Sequence, residues 1–168
     1  MNNFYDTPGD LSIQLAPWEL TRRGFVNKRT AIYELRKAIK FNSAIAGGVI
    51  VVPLSFLSDL ASIPSFAWGI FMSPSDPRIE LGGWVHDFIY SHKGDICPEG
   101  ATKYRPLTRK ECDAILAFEA MADLGASKFQ QYVVYYALRL LGSGSFNTDP
   151  AQIRWKFAKL NFKKPIIK

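Results

Sequence analysis

Only two histidines, His86 and His92, occur in the 168 residues, and His86 has the neighbours that acid–base chemistry needs. It lies in the run Trp84-Val85-His86-Asp87-Phe88-Ile89-Tyr90. If this run is helical, Gly82, His86 and Tyr90 stack one above another at four-residue spacing. Gly82 and Gly83 then occupy the turn over which the imidazole leans. A glycine inside a helix costs about 1 kcal/mol relative to alanine. Tolerating two of them points either to close packing against another backbone or to room for a ligand. Asp87 is turned about 100° around the helix from His86, so the pair suits a base and a cation ligand flanking one substrate atom. A hydrogen-bonded dyad needs a second carboxylate from elsewhere.

Asp113 is the candidate. On a helix it aligns with Leu116, Ala117, Ala120 and Leu124, the apolar and small-residue face, so its carboxylate is expected to point inward, where it requires a partner. With the two helices packed antiparallel, Asp113 would accept a hydrogen bond from one ring nitrogen of His86 and fix its tautomer. The other nitrogen would serve as a general base near neutral pH. Asp59 and Ser62, in the turn before, would complete the cluster. Structural roles account for the same residues: Asp59 as a turn cap, Asp113 as a first-turn acid favoured by the helix dipole, and Tyr90 as core. The residues alone leave both readings open.

The elements that would position this cluster follow from pattern. Thr30 to Phe41 and Gly48 to Phe56 read as strands, the second carrying the β-branched run Val49-Ile50-Val51-Val52, with a turn over Asn42–Gly48. A short helix over 31–40 is the alternative for the first. Pro53 argues for a strand end or edge. Residues 58–64 are turn-rich. A helix is predicted from about Pro77, acceptable in a first turn, to His92, with Gly94-Asp95 as its stop. After a loop of about fifteen residues, longer than most connections, Thr108 and Glu111 form a capping box, and Gly125 ends that helix. Ser127 and Gln130 repeat the device for a helix to about Leu141. Its residues Phe129, Tyr132, Val133, Tyr136, Ala137 and Leu140 read as a core stripe. The class is α+β: a small antiparallel sheet or hairpin in the N-terminal third, then three to four helices. Residues 1–29 read as an arm, 30–142 as the domain, and 143–168 as a flexible break and basic tail.

Composition fits one globular domain: 48% of residues are hydrophobic and 21% charged. No apolar run is long enough for a transmembrane segment. The N-terminus lacks the pattern of a secretory signal, so export by that route is not expected. Cys97 and Cys112 exclude a disulfide scaffold and a cysteine-only zinc site; free thiols are expected. The net charge of +6 is unevenly spread. Residues 154–168 carry six cations and no acid, so the remainder sums to zero and the chain is not a uniformly basic nucleic-acid binder. In the tail, Arg154, Trp155, Lys156, Lys159, Lys163 and Lys164 mix bases with aromatics. That mixture suits an anionic membrane surface, a nucleic acid or a partner subunit, and equally a solvated end.

Taken in order, V-P-L-S-F-L-S-D-L-A-S-I-P (residues 52–64), W-V-H-D-F-I-Y (84–90) and C-D-A-I-L (112–116) resemble a family of uncharacterised proteins common in tailed bacteriophages and prophages. Its pattern is V-P-x-G-F, T-D-x-A-S-x-P, H-D-x-x-Y and an aspartate on the next helix. Here Ser55 and Ser58 stand where the pattern has Gly and Thr. The resemblance implies a phage or prophage origin, with host cytoplasm or virion as the expected location, and no established activity. The H-D-x-x-Y and C-D pairs are also similar to A2-type phospholipases. That likeness implies His86 as the group activating water, Asp113 as its orienter and Asp87 as a calcium ligand. The glycine-rich calcium loop and the disulfides of that family are missing, and Asp59 or Asp95 would have to replace the loop's ligands. Two function classes therefore stand. One is a small hydrolase acting on an ester, phosphoester or cell-wall substrate, with a divalent cation, calcium or zinc, as the candidate cofactor. The other is a non-catalytic virion or assembly component that contacts other virion subunits and uses the His-Asp cluster as a buried polar staple.

Overall fold

The computed structural model describes residues 4–5, 12–14, 33–58 and 77–147. Two small antiparallel sheets precede the helices. The first has the order β1 (Phe4–Tyr5), β4 (Ile39–Ser43), β5 (Gly48–Val52); the second has β2 (Ser12–Gln14), β3 (Tyr33–Leu35), β6 (Leu57–Ser58). In β4, Ile39, Phe41 and Ser43 are buried while Lys40 and Asn42 face out. Phe41 lies opposite Ile50, and Ile39 opposite Val52, so the period-two pattern puts apolar pairs on one face.

The single strand expected from Thr30 to Phe41 is two strands in two sheets. The chain bends at Arg36–Lys37. Leu35 exchanges backbone hydrogen bonds with Ser55 and Phe56 (2.8 and 2.9 Å), whereas Ile39 pairs with Val52. Strand β5 ends at Val52, immediately before Pro53, as that proline's missing N–H requires.

Helix α1 spans Pro77–Ser91 and closes on Lys93 and Gly94, both at positive φ. Their N–H groups donate to the carbonyls of Tyr90 and Ile89 (2.9 and 3.0 Å), which satisfies the last turn. A β-carbon on Gly94 would lie 2.0 Å from the Leu107 carbonyl oxygen, and Leu107 N–H donates back to the Gly94 carbonyl (2.9 Å). The chain entering the next helix is thus pinned to the end of α1.

Helix α2 (Arg109–Ala114) starts with the expected capping box of Thr108 and Glu111. Arg105 adds a 2.6 Å ion pair to Glu111 and holds that carboxyl down to about 2. The helix does not remain α-helical: Ile115–Ala120 is a π-helical stretch before the short α3 (Met121–Asp123). Helix α4 (Lys128–Leu141) begins with the capping box of Ser127 and Gln130. A short helix α5 (Ser143–Asn147) follows where the Gly-Ser run suggests a break.

Trp84, Val85 and Ile89 of α1 join Leu35, Ile39, Phe41, Ile50 and Val52 in one core; Leu116, Met121, Val134 and Leu138 form a second. Helix α4 turns the opposite face to the one its aromatics suggest. Gln131, Val134, Ala137 and Leu138 are buried, while Phe129, Tyr132, Tyr136 and Leu140 are 51–78% exposed. Of the expected core stripe, Ala137 is buried and Val133 half-buried, while Phe129, Tyr132, Tyr136 and Leu140 form a surface stripe. The sequence carries apolar residues on both sides of this helix, and the smaller side chains fit against the second core.

A candidate His-Asp site between the helices

Helices α1 and the α2–π segment run antiparallel. His86 and Tyr90 meet Asp113 at one end, and Gly82 meets Leu116 and Ala120 further along. The β-carbon that Gly82 lacks would sit 2.7 Å from Leu116 Cδ1 and 3.3 Å from Ala120 Cβ. Between the two sequence-based explanations of Gly82, close helix packing is the one observed. Gly83, like Gly82, is buried.

This approach places His86 Nε2 3.4 Å from Asp113 Oδ1. Tyr90 donates its hydroxyl to the same oxygen, and its ring packs on the imidazole with centroids 4.0 Å apart. Arg139 Nη1 donates to the other oxygen, Oδ2, at 2.9 Å. Asp113 therefore collects three donors from two helices and is fully buried, which answers the demand that a buried carboxylate be paired. Arg139 is held in turn by its own backbone: Arg109 donates to the Leu138 and Arg139 carbonyls (3.3 and 2.9 Å), closing the end of α4.

His86 is 1% exposed. Its Nδ1 has no hydrogen-bond partner and faces Asp87 Oδ1 across 3.8 Å. Asp87 accepts from the Ser58 hydroxyl through Oδ2, which ties the end of β6 to α1. The order in space is Arg139 and Tyr90, then Asp113, His86, Asp87 and Ser58.

The electrostatics follow from this order. Burial pushes the His86 pKa down, but the nearby carboxylates of Asp113 and then Asp87 outweigh burial and raise it above 6.5. For Asp113, burial works to raise the pKa, and the donors His86, Tyr90 and Arg139 overcome it and lower it. Burial, then Asp113, pushes the Tyr90 phenol up. Burial pushes the neighbouring Cys112 thiol up to about 12, which leaves it an inert core group. Both cysteines are free, Cys97 on the surface and Cys112 inside.

Of the residues singled out by sequence, His86, Asp113, Asp87 and Tyr90 come together. Asp59, Ser62 and the tail residues Arg154, Trp155, Lys156, Lys159, Lys163 and Lys164 lie outside the described residues. Sequence reasoning missed Arg139 and Ser58. The signal for Arg139 was a lone cation between Leu138 and Leu140 in an otherwise apolar run.

Asp87 does not fit the role of a hard-cation ligand among the described residues. One oxygen accepts from Ser58 and the other faces the imidazole, whereas calcium takes six to eight oxygens. No group of three or more His, Cys, Asp or Glu able to hold a metal ion occurs among the described residues.

A family described as a protein of unknown function, DUF1353, matches residues 33–138. The chain belongs to the DUF1353 family. The DUF1353 match contains His86, Asp87, Tyr90 and Asp113 and ends one residue before Arg139. No curated protein and no solved structure matches the chain.

Proposed function

We propose that this DUF1353 chain is a small hydrolase of phage or prophage origin in which His86 is the general base and Asp113 its positioning residue. The observation that carries the proposal is the unequal treatment of the two ring nitrogens. Nε2 is set against a carboxylate held by two further donors, and Nδ1 is buried without a hydrogen-bond partner, 3.8 Å from Asp87 Oδ1. A purely structural buried histidine normally satisfies both nitrogens. With the proton on Nε2 directed at Asp113, Nδ1 is a bare base. In the reaction it takes a proton from water, and the water oxygen bonds to an ester carbonyl carbon. The bond to the leaving oxygen then breaks, and Nδ1–H returns the proton to that oxygen, giving acid and alcohol. The likeness of the H-D-x-x-Y and C-D pairs to A2-type phospholipases favours a carboxylic ester over the phosphoester and cell-wall alternatives.

A second reading has its own observation. His86 and Asp113 are 1% and 0% exposed, which favours a buried staple in a virion component whose partners are other virion subunits.

Turnover of p-nitrophenyl acyl esters, a phosphodiester and peptidoglycan by the wild type, His86→Gln and Asp113→Asn separates the two. Hydrolysis expects ester turnover that falls at least ~100-fold in His86→Gln, the usual scale of a general base. An absence of turnover on all three substrates, or turnover indifferent to His86→Gln, overturns it in favour of the staple.

A further inference from the structure

Helix α4 presents a continuous aromatic face to solvent. Tyr132, Tyr136 and Leu140, at 51, 59 and 78% exposure, lie within about 80° of arc on the helix surface. Tyr132 and Tyr136 stack in near-parallel planes. This face is opposite Val134 and Leu138, which fill the second core. Along the sequence the charge has one sign. Lys128 lies beside the stripe, Arg139 is taken up by its ion pair with Asp113, and no acidic residue occurs between Asp123 and Asp149. From residue 124 to the last residue, eight cations oppose one acid, +7, whereas residues 1–123 sum to −1.

We propose that the exposed face of α4 docks on an anionic lipid bilayer surface. Tyrosine suits this place because its ring is apolar and its hydroxyl stays in the headgroup layer. Leu140 supplies apolar area to the acyl boundary. Lys128 and the six cations of the sequence after residue 153 supply attraction to anionic headgroups, and such attraction adds up per basic residue near the surface. A helix lying in the interface plane needs an apolar face and basic residues beside it; α4 supplies the face and Lys128, and the sequence after residue 153 supplies the rest of the charge. No helix among the described residues is long and apolar enough to cross a membrane, so the contact is peripheral. The inference is independent of hydrolysis, since it uses the side of α4 away from Asp113.

The test is co-sedimentation of the full chain with sucrose-loaded vesicles of phosphatidylcholine alone and with 30 mol% phosphatidylglycerol added, an amount chosen to give about a tenfold contrast. The wild type is expected to bind the anionic vesicles at least ~10-fold better and to lose binding in high salt. Tyr136→Asp with Leu140→Asp is expected to abolish binding. Tyr136→Phe, which keeps the ring, is expected to retain it, and an unchanged circular dichroism spectrum shows that the variants are folded. Three results overturn the proposal: no preference for anionic vesicles; binding that survives the double variant and disappears only when the basic residues after 153 are neutralised; or a dimer in light scattering that the double variant dissociates, which would make a second copy the occupant.

Discussion

Tyr90 and His86 compete for one oxygen. The Tyr90 hydroxyl donates to Asp113 Oδ1, and His86 Nε2 stands 3.4 Å from that same atom while the two rings pack at a 37° tilt with centroids 4.0 Å apart. The phenol holds the carboxylate in place and at the same time draws off part of the charge that would otherwise bind the imidazole proton. Tyr90→Phe leaves Oδ1 to His86 alone. We expect it to lower stability by about 1.5–3 kcal/mol, the scale of a hydrogen bond to a charged group, and to raise the His86 pKa. Urea denaturation and an NMR titration of the imidazole read the two effects, and a fall in the His86 pKa would contradict this account.

Asp113→Asn removes the charge and keeps the shape. Arg139 and His86 then face a neutral group, and one of them meets the amide nitrogen. Breaking a buried ion pair from one side costs about 3–5 kcal/mol, so the denaturation midpoint should drop by a corresponding amount. A loss under ~1 kcal/mol, the value of an exposed pair, would mean the carboxylate is not paired as described.

Stability should form a plateau in pH. The raised pKa of His86 contributes stability that is complete below its unfolded value near 6.5 and is lost as pH rises through the higher folded value. The lowered pKa of Asp113 contributes stability present above about 3.8–3.9 and lost as pH falls through the lower folded value. Thermal melts should therefore be highest between these limits. His86→Gln should flatten the alkaline side and weaken the acid side without removing it, because Tyr90 and Arg139 still donate to Asp113.

Ser55 holds a left-handed backbone, φ 64°, at the position where the related motif has glycine. That conformation costs a non-glycine residue about 1–2 kcal/mol. Ser55→Gly is expected to stabilise the fold by up to about 1 kcal/mol, since glycine returns some of the gain as unfolded-state entropy. An unchanged or lower melting temperature would count against this.

Two glycines at positive φ give an internal contrast. Gly125 has open space where a β-carbon would go, whereas at Gly94 the β-carbon would strike the Leu107 carbonyl at 2.0 Å. Gly125→Ala should cost about 1 kcal/mol, the conformational part alone. Gly94→Ala should cost at least ~3 kcal/mol, because a backbone atom has to move. Equal melting temperatures for the two variants would refute the pinned junction.

What the sequence made legible was local. Capping boxes at Thr108 and Ser127 and the stop at Gly94 are written in residues close together in the chain, and the structure has them where expected; the strand read as far as Phe56 stops at Val52, before Pro53. The inward Asp113 was legible too, from the small residues on its helix face. What was not legible depends on which surfaces meet. The strand around residues 30–41 divides because Leu35 and Ile39 find partners in different sheets. The π-helical stretch Ile115–Ala120 has no residue signature of its own, yet it lets one helix direct Asp113 at α1 and Glu119 at the Ser43–Ile45 turn, where its oxygens accept from Ser43 Oγ and Ile45 N–H (2.6 and 2.9 Å). Helix α4, with apolar residues all round, gave no rule for choosing its buried side.

The hydrogen bond between Leu107 and Gly94 closes residues 95–106 into a ring that starts and finishes at one point. Whatever those residues become, the end of α1 and the start of α2 stay at the same separation, and so do His86 and Asp113. The ring is anchored inside by Ile96 and by the Val49–Glu99 bridge, while residues 102–106 are exposed. Its tip at residues 102–103, short of Arg105 with its ion pair to Glu111, is thus a place where chain length and composition are decoupled from the helices: a port for insertions, tags or recognition loops that leaves the geometry beneath untouched.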